Sequence, residues 1–147
     1  MSASKIIKII KEKEIEYIDL RFTDPKGKLQ HVTMDSTVVD EKMLDEGVFF
    51  DGSSIAGWKA INESDMILKP DLSRQIVDPF TSHNTLILFC DVLDAVKKNP
   101  YERDPRSTAK KAEEYLKKSN IGDKAFFGPE AEFFVFDDVK FKNDMNE

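Results

Sequence analysis

Five consecutive apolar residues, Leu86-Ile87-Leu88-Phe89-Cys90, sit inside the stretch Thr85–Val92. Together with Val92 they leave only Asp91 polar in the run's interior. A strand apolar on both faces has to be covered on both faces. A chain that carries one must therefore build a sheet around it. The segments before it supply the material. In Tyr17–Thr23, Ile18, Leu20 and Phe22 alternate with Asp19 and Arg21, the period of a half-buried strand. Asp24-Pro25-Lys26-Gly27 is turn chemistry, and Leu29–Met34 is the return strand of a hairpin. His31 lies on that strand with no acid or second histidine at ligand spacing, which makes it a surface histidine. Ser4–Glu14 reads as a helix with an isoleucine stripe and Ser2 or Ser4 as its N-cap. Asp40–Glu46 reads as a short helix capped by Asp40 and stopped by Gly47. Met66-Ile67-Leu68 is a short strand ended by Lys69-Pro70, and Gln75–Val77 is another before Asp78-Pro79. This order predicts a small α+β domain in which a mixed sheet packs on a helix.

After that domain comes a polar break, Lys97-Lys98-Asn99-Pro100. Asp104-Pro105 then pairs an N-cap with a proline at the first helical position. Ala109, Ala112, Tyr115 and Leu116 give the following helix a narrow stripe expected to be buried, and Asn120 and Gly122 end it. Ala125–Phe136 reads as one more strand. The length of 147 residues suits one domain, or a small domain and part of another. A net charge of −6 argues against a nucleic-acid partner. The single cysteine, Cys90, cannot form an internal disulfide and reads as a small core residue. No stretch approaches transmembrane length, and no signal-peptide pattern opens the chain, so a cytoplasmic protein is the expectation.

Two stretches carry chemistry. The first is Phe49–Met66, FFDGSSIAGWKAINESDM, which has neither helical nor strand period. Long loops of this kind are functional or disordered. Phe49, Phe50, Ile55, Trp58 and Ile61 drive burial, so this one is expected to be ordered and presented. It also holds three acids, Asp51, Glu63 and Asp65. Asp51-Gly52 alone could be a turn; set between two phenylalanines and two serines, Asp51 is also placed to act as a base or cation ligand. The second stretch holds Glu130 and Glu132. On a strand, residues two apart share a face, with Cβ atoms roughly 6.5–7 Å apart. At an effective dielectric near 20 their charges repel by about 2–2.5 kcal/mol. A divalent cation such as Mg²⁺ or Mn²⁺ offsets that repulsion; an edge strand with both glutamates in water is the plainer alternative. Six of the eleven phenylalanines lie between 126 and 141, which argues against an exposed edge. A terminal strand so apolar, with no later element to cover it, implies that the chain is part of a longer protein.

The two motifs, with LKPD, DPF and TLILFCDV between them and FGPEAEFFVFDD closing the run, resemble the N-terminal part of the bacterial type I glutamine synthetase family over about Ile15–Phe141. Ala56 stands where many members have glycine. The resemblance implies a β-grasp N-terminal domain over residues 1–103, followed over 104–147 by the first helix and strand of a truncated α/β catalytic domain. It implies a ligase that joins glutamate and ammonia to give glutamine, using ATP and a γ-glutamyl phosphate intermediate, with this chain inactive alone. It implies catalytic roles for Asp51, which helps bind ammonium and takes its proton, for Ser54 in the same site, and for Asp65 near the substrate flap. It implies Mg²⁺ or Mn²⁺ on Glu130 and Glu132, and homo-oligomeric rings in which this loop completes a neighbouring subunit's site. The alternatives are a stand-alone β-grasp protein-binding module and a short regulator that enters synthetase rings.

Overall fold

The computed structural model describes residues 1–58 and 64–143. It opens with helix α1 (Ala3–Glu12), whose N-cap is Ser2. The hairpin follows as β1 (Tyr17–Thr23) and β2 (Leu29–Asp35). Asp24 closes it, accepting the amides of Lys26 and Lys28, each at 2.9 Å, and the Gln30 side chain. Then come α2 (Glu41–Glu46), β3 (Val48–Asp51), β4 (Asp65–Val77), β5 (Thr85–Asp94) and α3 (Pro105–Ser119). The sheet order is β2-β1-β5-β4-β3. Only β1 and β5 run parallel; the other neighbours are antiparallel. The run apolar on both faces is thus the central strand, as its pattern predicts, and the fold is the mixed α+β sheet expected.

One face of the sheet makes the core. Ile18, Leu20 and Phe22 of β1, Leu86, Leu88, Cys90 and Val92 of β5, and Met66 and Leu68 of β4 pack with Ala3, Ile6 and Ile10 of α1 and Leu44 of α2. Burial pushes the Cys90 thiol far above its ordinary range, so it is inert. Asp40 caps α2 by accepting the Met43 amide at 2.7 Å. Gly47 ends it at φ 90°, with its Cα side pressed against Ile67 and the Leu68 carbonyl.

Four expectations change. The segments 66–68 and 75–77 belong to one strand, β4, interrupted by a register shift between Pro70 and Gln75. Proline has no ladder donor, so the irregularity is where a proline can sit without ending the strand. His31 does have an acid: Asp19, buried on the adjacent strand, meets its Nδ1 at 2.7 Å and also receives Arg21 and Thr33. Strand pairing supplies that partner, not sequence spacing. The α3 stripe is not buried: Ala109, Ala112 and Tyr115 are exposed and Leu116 only half-buried. With Phe126 and Phe127 they line an open groove of about 810 Å³. Finally, residues 125–136 form no strand, and Phe126, Phe127, Phe133, Phe134 and Phe136 stand in solvent. A strand exists only as one side of a ladder, and no described strand pairs with this segment. Among the described residues no helix is long and apolar enough to cross a membrane.

Candidate functional site

The stretch read as a loop is built from both ends. Its first residues form β3, which pairs with the start of β4 in the register Val48↔Leu68 to Asp51↔Asp65. Phe50 faces the core and meets Phe22 at 5.2 Å between ring centroids, while Phe49 on the opposite face stays 64% exposed. Asp51 ends the strand and caps the single 3₁₀ turn Gly52–Ser54. Its Oδ1 accepts the Ser53 amide at 2.8 Å and the Ser53 hydroxyl at 2.6 Å. The Gly52 amide donates to the Ser64 carbonyl at 2.7 Å, tying the turn to the residue that enters β4. Gly52 is buried: a Cβ there would lie 2.8 Å from Met66 Cγ and 3.0 Å from the Ser64 carbonyl oxygen.

Trp58 anchors the far side of the turn. It is buried, packs on Phe22 at 5.6 Å and on Tyr101 at 5.7 Å, and is held through its backbone. The Tyr101 hydroxyl donates to the Trp58 carbonyl at 3.0 Å, and Arg103 donates to the Gly57 carbonyl at 2.7 Å. Ile61 and Glu63 of the same motif lie outside the described residues. The expectation of an ordered, presented turn therefore holds for its described part.

Asp51 and Asp65 are directly opposed in the ladder, so their side chains leave on the same face, with Cβ atoms about 4.5–5.5 Å apart. Both are exposed, as is Ser54. Two like charges so placed repel and make a cation between them favourable. The Ser53 hydroxyl, then the Ser53 amide, hold the Asp51 carboxyl below its ordinary value. A carboxylate in that state binds a cation well and takes a proton reluctantly; covering it from water raises its affinity for the proton.

Glu130 and Glu132 are exposed on the irregular segment that follows α3. Their oxygens are the donors that Mg²⁺ and Mn²⁺ prefer. Two carboxylates fit such an ion in kind but do not complete an octahedral shell. Among the described residues no group of three or more His, Cys, Asp or Glu side chains is placed to hold a metal. The geometry joins Asp51 and Asp65 in one pair; among the described residues it gathers no third carboxylate or imidazole with Glu130 and Glu132 to hold a metal.

The residues missed from sequence are those that support the pair. Ser53 was visible inside DGSS as a hydroxyl two residues after an acid, the local signature of a capped turn. Ser64, Tyr101 and Arg103 had no local signature, because their contacts cross between segments distant in the chain.

Comparison with known proteins matches residues 14–95 to the family described as the glutamine synthetase β-grasp domain, and residues 102–147 to the glutamine synthetase catalytic domain. The glutamine synthetase of Rhizobium meliloti is 64% identical over 143 residues, which is 97% of this chain and 30% of that protein. The Azotobacter vinelandii glutamine synthetase is 57% identical over 143 residues, 97% of this chain and 31% of that protein. The chain thus spans about 30% of the length of the curated relatives it matches. Among solved structures, Plasmodium falciparum glutamine synthetase superimposes with a TM-score of 0.76 at 25% identity, covering 84% of this chain and 24% of that one.

Proposed function

This chain belongs to the glutamine synthetase family, and we propose that it supplies the ammonium side of the active site of a glutamate–ammonia ligase. The observation that carries this reading is the Asp51–Asp65 pair, two exposed carboxylates opposed across β3 and β4 and braced by a turn that Ser53 organises. In the reaction, the glutamate γ-carboxylate attacks the γ-phosphorus of ATP. γ-Glutamyl phosphate and ADP form. Ammonia then attacks the acyl carbon, the C–N bond forms, and the bond to the phosphate oxygen breaks. Ammonium has no lone pair and must first lose a proton. Asp51 holds the cation and accepts that proton, Asp65 adds charge beside it, and Ser54 offers its hydroxyl to the same site. A second copy of the protein, seated over exposed Phe49 and the turn, removes water from Asp51 and makes it the better base. Glu130 and Glu132 would contribute oxygens to a bound Mg²⁺ or Mn²⁺, and such an ion would neutralise phosphate charge. Residues 1–103 form the β-grasp unit and 104–147 begin the catalytic unit.

The match of residues 102–147 to the catalytic family favours this reading over a stand-alone binding module. The test is glutamine formation from glutamate, ammonium and ATP. The full-length enzyme carrying this chain is expected to turn over, and the pure 147-residue chain is expected to make no product. Glutamine formed by the pure chain, or none formed by the full-length enzyme, overturns the reading.

A further inference from the structure

We propose that Ser53 is a positioning residue that aims the Asp51 carboxylate at the ammonium ion before any neighbouring chain covers it. The proposal rests on the reading of Asp51 as the ammonium-binding acid. An exposed aspartate at the end of a strand would otherwise exchange among staggered rotamers, whereas a productive site holds its groups within about 0.5 Å. Here both donors of Ser53 converge on one oxygen, Oδ1, at 2.8 and 2.6 Å. Two bonds to one oxygen, one from the backbone and one from the side chain, select a single rotamer. The turn that carries them is itself pinned. Its Gly52 amide is bonded to the Ser64 carbonyl, and Gly52 has no room for a side chain between Met66 and Ser64. The titratable group that faces Asp51 from the paired strand is Asp65.

The same chain contains a control. At Asp35, the Thr37 amide and hydroxyl converge on Oδ1 at 2.8 and 2.6 Å. Asp35 lies opposite Tyr17 in the ladder, not opposite an acid. A role confined to capping predicts equal consequences at the two turns, and a positioning role predicts unequal ones.

The experiment measures the dependence of turnover on ammonium in the full-length enzyme for Ser53→Ala, Ser53→Thr and Thr37→Ala. Ser53→Ala is expected to raise the KM for ammonium about tenfold, the worth of one hydrogen bond to a charged group, leaving the KM for glutamate and ATP in place. Ser53→Thr keeps the hydroxyl and restores the wild-type curve. Thr37→Ala leaves the curve unmoved. In the isolated chain, the titration of the Asp51 carboxyl carbon by NMR moves to higher pH in Ser53→Ala and stays in place in Thr37→Ala; its spectrum reports directly whether the variant is folded. An unmoved Asp51 titration in folded Ser53→Ala, or equal effects of Ser53→Ala and Thr37→Ala on the ammonium curve, overturns the proposal. If Asp51→Asn itself leaves turnover at the wild-type level, the reading of Asp51 as the ammonium acid fails. If Asp51→Asn is crippled while Ser53→Ala is normal, only the positioning proposal fails.

Discussion

The turns at Asp35 and Asp51 are nearly the same object. Each ends a strand, each opens a single 3₁₀ turn, and in each an aspartate Oδ1 takes an amide and a hydroxyl from the residue two positions on. In each the hydroxyl bond, then the amide bond, holds the carboxyl below its ordinary value. What differs is the surroundings. Both end edge strands, but Asp35 lies opposite Tyr17, and the residue after it is a half-buried serine whose amide donates to the Glu16 carbonyl. Asp51 faces Asp65, and the residue after it is a glycine packed on Met66. The comparison teaches that a capped turn is a local device, and that the sheet alone decides which charge stands opposite it.

The largest expected contrast is in activity. In the full-length enzyme, Asp51→Asn keeps the shape of the turn and removes the proposed base, so turnover at saturating ammonium should fall by about 10²–10⁴. Asp35→Asn should leave it near wild type. Equal losses at the two aspartates would break the comparison.

Next comes packing. Gly52→Ala drives a methyl into Met66 and the Ser64 carbonyl, and overpacking of this kind costs about 1–3 kcal/mol. Ser36→Ala, at the matching position of the other turn, should stay within about 0.5 kcal/mol. Denaturant unfolding of the chain measures both, and a neutral Gly52→Ala would show that β4 yields to the turn.

Thermal melts sharpen the likeness instead. Ser53→Ala and Thr37→Ala remove the same hydroxyl bond from exposed carboxylates, so their Tm values should drop by similar small amounts. A clearly larger drop in one turn would mean that its hydroxyl supports more than the cap.

The smallest contrast is with pH. Asp35 and Asp51 are both held below the ordinary carboxyl value of 3.8, so their contribution to stability is complete above pH 3.8 and is lost as pH falls through their folded values. Asp19 behaves alike by a different balance: burial pushes it up, but the bonds from Arg21, His31 and Thr33 outweigh burial and hold it below 3.8. The contribution of these three carboxyls should be flat from neutrality to about pH 4 and decline below it. Carboxyl titration followed by NMR should show all three midpoints under 3.8; a midpoint above that value at either turn would remove its cap from the account.

Much of the fold was legible because it follows from local chemistry. Alternation placed β1, the apolar run placed β5 at the centre, and Asp40 with Gly47 bounded α2, since caps and turns involve residues within four positions of one another. The family motifs pointed to Asp51 and Asp65 as candidate site acids. Their pairing was not legible. Nor was the continuity of β4 through Pro70, the Asp19–His31 bond, the exposed stripe of α3, or the unpaired state of residues 125–136. Those depend on which segment lies alongside. Residue type and spacing determined which stretches of this chain could be strands, helices and turns, because those preferences are settled within a few bonds. Ladder partners and buried faces were decided only in the assembled sheet, where a group distant in the chain supplies the other half of each hydrogen bond and each apolar contact.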